Sequence, residues 1–248
     1  MSPPASRETR DLASELKFKI DASIAEHIRE WARPRLLPDP HATGPNGDEY
    51  TTTTIYYDTQ DLAVYHRRGS FGRSKYRIRR YNESDVVFLE RKLRAGGIVS
   101  KRRTIVRVED LGRLAGDEAE RDWAGFWFHQ RVLMRRLRPV CQVTYHRMAR
   151  VAMTDYGPVR LTLDQDLQAI VVAGASYVPG PGTPMLPGRM ILEMKFRVQM
   201  PAMFRQLAEA FALKPERLSK YRLAIEALGR VQVPATVPSR PRLEAPGA

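Results

Sequence analysis

Cysteine is nearly absent from this chain: Cys141, in the apolar run Val140-Cys141-Gln142-Val143, is the only one in 248 residues. A single thiol excludes an internal disulfide and reads as a small buried hydrophobe in a reducing compartment. As a nucleophile it would have only His146 beside it in sequence. Long apolar runs are missing too. No segment approaches the roughly 18 residues of a membrane-spanning helix, and the polar residues 1–11 carry no signal-peptide core. The expected setting is cytoplasmic, as a soluble protein or a soluble module of a membrane-associated system. Residues 174–189 hold four prolines and four glycines but fit neither GxGxxG nor GxxxxGK[ST], which excludes the common nucleotide loops and reads as a mobile connection. His27, His41, His66 and His129 show no metal-ligand spacing. Acid is scarce: 28 Asp and Glu face 41 Lys and Arg, a formal charge of +13. Such self-repulsion is tolerable when an anionic partner relieves it. Candidates are nucleic acid, an acidic membrane surface, and phosphorylated small molecules or polymers. The excess is mainly arginine, whose planar fork suits phosphate oxygens.

What the chain does have is cations at every second position of strand-like segments. Glu15-Leu16-Lys17-Phe18-Lys19 and Lys75-Tyr76-Arg77-Ile78-Arg79 are two such segments. Phe88-Leu89-Glu90-Arg91-Lys92 and Leu192-Glu193-Met194-Lys195-Phe196-Arg197 add a carboxylate. In a strand, i, i+2 and i+4 share a face. Lys17 and Lys19 therefore line one side, as do Lys75, Arg77 and Arg79, and Glu193, Lys195 and Arg197. One such strand reads as a solvated outer face. Several with the same sign predict a barrel or deep groove with a cationic, water-filled interior that holds a polyanion, because outer faces mix signs and unpartnered buried cations are costly.

The 43% hydrophobic content provides a core. Residues 1–13 read as a disordered tail, 14–229 as one domain, and 230–248 as a Pro-rich disordered tail. Strands are expected at 14–21, 51–58, 73–81, 85–93, 98–108, 139–152, 158–166 and 190–198. Gly96-Gly97 should form a hairpin turn, as should Tyr156-Gly157-Pro158. Asp21-Ala22-Ser23 caps a helix containing Ile24, Ile28 and Trp31, and Thr59-Gln60-Asp61 a short one over 62–68. Residues 109–137 read as largely helical. Pro201 starts another helix and 218–228 the last.

Three constellations carry chemistry. Glu15, Glu90 and Glu193 each precede a cation by two residues on one strand face. They fit ion-pair partners or ligands of a hard divalent metal bridging phosphate oxygens, Glu193 foremost. Arg160, Thr162 and Asp164 share a face, and Tyr145 shares one with Arg147 while His146 points the other way. Ser219-Lys220 reads as an N-cap serine and a lysine at a helix start, suited to phosphate.

In this order the motifs resemble the polyphosphate polymerase domain of vacuolar transporter chaperone (VTC) proteins, in particular its bacterial relatives, within the CYTH or triphosphate tunnel metalloenzyme superfamily. The stretches that carry the resemblance are Glu15-Leu16-Lys17-Phe18, Ile55-Tyr56-Tyr57-Asp58-Thr59, the run from Lys75 to Tyr81, Phe88-Leu89-Glu90-Arg91-Lys92, Ser100-Lys101-Arg102-Arg103, Tyr145-His146-Arg147, the run from Val159 to Asp164, Leu192-Glu193-Met194-Lys195-Phe196 and Ser219-Lys220-Tyr221. The resemblance implies an α+β fold, an antiparallel β-barrel enclosing a triphosphate tunnel, with helices outside. It implies Lys17, Arg77, Arg79, Lys92, Arg147, Arg160 and Lys220 as the phosphate clamp at the reacting centre. Lys19, Lys75, Lys101, Arg103, Tyr145, Lys195 and Ser219 would support substrate binding, and either Arg67 or Arg68 would join them. It implies Mn²⁺ or Mg²⁺ on Glu193 and Glu15, and a nucleoside triphosphate and polyphosphate as partners.

Tunnel hydrolases of the superfamily begin with an ExExK strand. Lys17 stands here at the middle position, which favours the polymerase branch over a triphosphatase. The chain also lacks an SPX sensor domain and membrane helices, so polymer export is expected of a partner, such as a membrane protein. The alternatives are an inorganic or organic triphosphate hydrolase and a non-catalytic polyphosphate-binding module. Nucleic acid ranks last as a partner, with no RNP-like or helix-turn-helix signature. Oligomeric state is not set by these motifs.

Overall fold

The computed structural model describes residues 7–11, 14–44, 46–95 and 98–231. Its strands, in chain order, are β1 (Arg7–Asp11), β2 (Ser14–Asp21), β3 (Leu37–Pro38), β4 (Glu49–Asp58), β5 (Ser74–Tyr81), β6 (Val86–Ala95), β7 (Ile98–Arg107), β8 (Arg138–Thr154), β9 (Gly157–Val171), β10 (Thr183–Pro184) and β11 (Arg189–Phe196). Four α-helices accompany them: α1 (Ala22–Ala32), α2 (Phe126–Met134), α3 (Ala202–Ala210) and α4 (Lys220–Ala227). Every strand pairing among the described residues is antiparallel, and the strands form one sheet in the order β1-β7-β6-β5-β4-β8-β9-β11-β2, with β3 on β8 and β10 on β9.

The sheet curls strongly. Lys92 on β6 lies 3.4 Å from Glu15 on β2, though six ladders separate those strands along the sheet. No ladder joins β2 to β1 or β7 among the described residues, so the expected barrel is an open one with a seam beside β2.

Strand parity decides what each face holds. Phe18, Ile20, Leu161, Leu163, Leu192 and Met194 point outward and bury under α1 and α3 with Ile28, Phe204 and Leu207. Ile55, Tyr57, Tyr76, Ile78 and Leu89 do the same under α2, against Trp127 and Phe128. Each such large apolar side chain contributes about 1.5–3 kcal/mol by leaving water. The helices start where the capping chemistry lies. Asp21 accepts from the Ile24 amide at 3.0 Å at the head of α1, and the Ser219 hydroxyl accepts from the Arg222 amide at 3.4 Å at the head of α4.

α4 alone packs on the inner face. Tyr221, Ala224 and Ile225 bury against Tyr56, Val143, Tyr145 and Ile191 and fill one end of the curl. Asp58 anchors this arrangement. Fully buried, it accepts from the amides of Thr59, Val64 and Tyr65 at 2.7, 2.7 and 2.9 Å and from the Tyr221 hydroxyl.

Several expectations need correction. Residues 7–11, read as part of a disordered tail, pair with β7 as an edge strand. Residues 62–68 form turns and no helix, because the amides that would start one are taken up by Asp58; a 3₁₀ segment, Gly69–Arg73, follows. Within 109–137 only α2 is an α-helix, preceded by a 3₁₀ segment, Val108–Ala115. β9 runs to Val171, past the expected 166, by absorbing an extra residue at Asp166, where φ is +52° and the β8–β9 register shifts. The β8–β9 turn is at Asp155-Tyr156, with Gly157 at φ +100° opening β9; a side chain there would be strained and would meet Arg197 Cδ at 3.3 Å. The Gly96-Gly97 turn and the tail from 232 onward lie outside the described residues.

Candidate active site: the cationic inner face

Three neighbouring strands each place a lysine in one rung. Lys75 on β5 is in register with Lys92 on β6, and Lys92 with Lys101 on β7. Like charges directly opposite one another destabilise a sheet. Relief within the protein is small. Lys92 reaches Glu15 at 3.4 Å, Lys75 donates to the Ser219 hydroxyl at 2.9 Å, and Lys101 makes no ion pair among the described residues. Burial, together with Lys17, Lys92 and Arg77, lowers the Lys75 ammonium to about 7. Burial lowers Lys101 to about 8, against the pull of Glu90.

The next rung is Arg77, Glu90 and Arg103. Glu90 is buried and accepts from Arg77 Nε at 2.6 Å and Arg103 Nε at 2.7 Å. Burial opposes its charge, but Arg77, Arg79 and Arg103 outweigh that and hold its carboxyl far below the usual range. Beyond lies Arg79, 8% exposed, whose Nε donates to Thr54 Oγ1 at 3.2 Å and which forms no ion pair among the described residues.

Across the curl, Arg147 grips Asp164 with two bonds of 2.6 and 2.8 Å, and Lys220 from α4 reaches the same carboxylate at 2.5 Å. Asp164 is lowered despite burial, by Arg147 first and then Lys220. Tyr145 sits between these groups. Its phenol is fully buried with no hydrogen-bond partner among the described residues, and Lys220 lies 4.8 Å from its ring centre.

The third cluster spans β2, β11 and β9. Lys17 pairs with Glu15 at 2.7 Å and Glu193 at 3.6 Å, and Lys195 with Glu193 at 2.6 Å and Glu15 at 3.8 Å. Burial opposes charge at Glu15, Lys17 and Glu193. The two carboxylates nonetheless raise Lys17, while the lysines lower Glu193 well below its ordinary value. Arg160 donates to the Tyr50 hydroxyl at 2.7 Å and pairs with Asp39 at 2.9 Å.

Fifteen of the sixteen sequence-predicted residues thus face one space. Lys19 does not join them: it pairs with Glu216 at 3.6 Å, exposed at the rim by α4. Between the two arginines left open, Arg67 acts on Lys75 electrostatically, whereas Arg68 pairs outward with Asp61 at 2.6 Å. Cys141 is fully buried and its thiol pushed up to about 12, which suits packing. His146 is exposed and shares a hydrogen bond with Thr51.

Sequence reasoning missed Tyr50, Thr52 and Tyr81. Parity along β4 and β5 would have found all three. Asp39 comes from a loop and had no signal. Among the described residues, buried polar atoms without partners on this face include Tyr145 Oη, Thr52 Oγ1, Thr162 Oγ1 and Arg160 Nε. Native interiors satisfy such groups with protein or water, and these stand beside the excess cations.

A hard divalent cation fits one part of this face. No group of three or more His, Cys, Asp or Glu capable of holding a metal occurs among the described residues, so a protein-only cage is excluded there. Mg²⁺-type ions, however, take one or two carboxylates and complete their shell with phosphate oxygens and water. Glu193 and Glu15 could supply that pair; here they are shared with Lys17 and Lys195. No helix among the described residues is long and apolar enough to cross a membrane.

Known proteins place this architecture. A candidate adenylate cyclase from Bacillus halodurans superposes with a TM-score of 0.50 at 13% identity, covering 85% of this chain and 95% of its own. A candidate adenylyl cyclase from Hippeastrum, described as having a dominant triphosphatase activity, gives 0.44 at 13% identity over 86% and 96%. A protein of Pyrococcus horikoshii gives 0.43 at 16% identity over 86% and 98%. The first likeness shows a shared fold. No curated protein matches the chain. A family model described as the VTC domain matches residues 12–229, and the chain therefore belongs to the VTC domain family.

Proposed function

We propose that this protein is a polyphosphate polymerase, transferring the γ-phosphoryl group of a nucleoside triphosphate such as ATP to a growing inorganic polyphosphate chain. The observation that carries the reading is the Lys75-Lys92-Lys101 rung, three like charges in register with one ion pair, Lys92 to Glu15, between them among the described residues. A single phosphate cannot span it; a chain of phosphates can. Lys17 at the middle of the first inward strand supports transfer over hydrolysis. It puts an ammonium between Glu15 and Glu193, where a third carboxylate would help hold metal and activate water.

Phosphoryl transfer depends on positioning and charge stabilisation. Arg77, Arg79 and Arg103 hold the triphosphate oxygens on one wall, and Arg147, Arg160 and Lys220 on the other. The lysine rung holds the acceptor chain. A terminal oxygen of that chain attacks the γ-phosphorus in line, the bond from γ-phosphorus to the β–γ bridging oxygen breaks, and the nucleoside diphosphate leaves. The attacking oxygen is already anionic, so no general base is required. Mn²⁺ or Mg²⁺ on Glu193 and Glu15 would supply Lewis-acid polarisation of the phosphoryl oxygens.

The first test is Glu193→Ala. ATP turnover is expected to fall at least about a hundredfold at saturating Mn²⁺, with the fold retained by circular dichroism. Unchanged turnover would remove Glu193 from the mechanism.

A pH test follows from the rung. Lys75 and Lys101 ionise near 7 and 8 in the free protein, and a bound polyanion favours their charged forms. Both values are depressed, so binding takes up protons, and affinity is greatest below pH 7 and falls as pH rises through both values. Long-chain polyphosphate should bind about tenfold more weakly at pH 9 than at pH 7 by calorimetry, with proton uptake in the same window. A flat profile would contradict the assignment.

A further inference from the structure

The end of the inner face away from α4 carries rings among its cations. Tyr81 is the last residue of β5, Tyr50 the second of β4, and Phe88 the third of β6, and all three point inward by parity. Tyr81 stands edge-on to Tyr50 and to Phe88, each with ring centres 5.5 Å apart. His41, from the loop before β4, lies with its plane 5° from that of Tyr81 at 6.4 Å. Tyr50 is buried, Tyr81 and Phe88 are half-buried, and His41 is exposed, so the cluster grades from wall to solvent.

Phosphate-binding groups interleave with these rings. Arg103 lies 4.2 Å from the Phe88 ring centre and donates to the Tyr81 hydroxyl at 3.2 Å. Arg160 donates to the Tyr50 hydroxyl. Arg79 is two residues from Tyr81 on the same face. From Tyr81 to Lys75 is six residues of strand, about 20 Å. The two ends therefore differ in chemistry: rings plus arginines here, lysines and the head of α4 there.

We propose that the ring cluster of His41, Tyr50, Tyr81 and Phe88 is the nucleoside site. The base of the incoming triphosphate stacks there, its phosphates point inward to Arg79, Arg103 and Arg160, and the acceptor chain occupies the lysine rung. This rests on the reading that the inner face takes a nucleoside triphosphate. It adds a direction to the tunnel, nucleotide in at the aromatic end. Stacking is tolerant of base identity because every base has a π-face, so the site accepts several nucleotides and favours purines.

Adenosine is the difference between ATP and inorganic tripolyphosphate, so calorimetric titration of both ligands isolates the site. His41→Ala should weaken ATP about threefold while tripolyphosphate changes by less than about twofold; Tyr81→Leu should bind ATP roughly tenfold more weakly than Tyr81→Phe, which loses the same hydroxyl bond to Arg103 but keeps the ring, while tripolyphosphate distinguishes the two by less than about twofold. His41 is exposed, so its removal leaves the fold intact. Equal losses for the two ligands, or unchanged ATP affinity, would overturn the nucleoside site. Wild-type protein that binds tripolyphosphate but not ATP would overturn it while leaving the anion tunnel standing. Wild-type protein that binds neither would overturn the triphosphate reading itself.

Discussion

Arg79→Ala is expected to leave the protein folded and to lower phosphoryl transfer by about a hundred- to a thousandfold, the range seen when one preorganised donor is removed from developing charge. The reason lies in its surroundings. Arg79 is buried and makes no ion pair among the described residues; its Nε donates to the Thr54 hydroxyl, and the Tyr81 phenol lies beside it. Burial opposes its charge, and Tyr145, Tyr81 and Glu90 restore it. A guanidinium held in this way, with no carboxylate paired to it among the described residues, is free to take an anion from the inner face. Removing it relieves a buried charge, so thermal stability should hold or rise while kcat falls. Activity within about twofold of wild type would show that Arg79 faces no reacting group.

Asp164→Ala is expected to act in the opposite sense on the fold. Asp164 is fully buried and compensates both Arg147 and Lys220. Breaking a buried ion pair from one side costs about 3–5 kcal/mol, because the remaining charge stays desolvated. For a domain of this size that lowers Tm by about 6–20 °C. The loss should be partly reversed by added polyphosphate, which supplies the missing negative charge to the same cations by mass action. Scanning calorimetry with and without polyphosphate reads both effects. An unchanged Tm would mean that Arg147 and Lys220 find other partners. An unstable variant that polyphosphate does not rescue would mean that the two cations serve only the fold.

Much of this was legible in the chain because a β-strand has a period of two. Parity alone put Lys75, Arg77 and Arg79 together, and Glu193 with Lys195. It also separated Tyr145 and Arg147 from His146. Register was not legible. That Lys75, Lys92 and Lys101 share one rung depends on how β5, β6 and β7 align, which is set by turns and core contacts far from those lysines. The loop after Asp58 shows a second kind of limit. Its Thr-Gln-Asp start favours a helix locally, yet Asp58 spends both oxygens on the amides of that loop and on Tyr221, 163 residues away. Tertiary demand overrides capping there. Lys19 illustrates the converse: correct parity placed it on the inner face, but its position near the end of β2 leaves it at the rim beside Glu216. The inward packing of α4 had no local signature either, since an amphipathic helix looks the same whichever face of a sheet it covers.

The central claim is that the inner face makes polymer. Pure protein incubated with ATP and Mn²⁺, with products resolved on a polyphosphate gel beside a free-phosphate assay, tests it directly. The account predicts long polymer with ADP released in step with the phosphoryl groups incorporated. Orthophosphate and ADP without polymer would contradict it and make the protein a tunnel hydrolase.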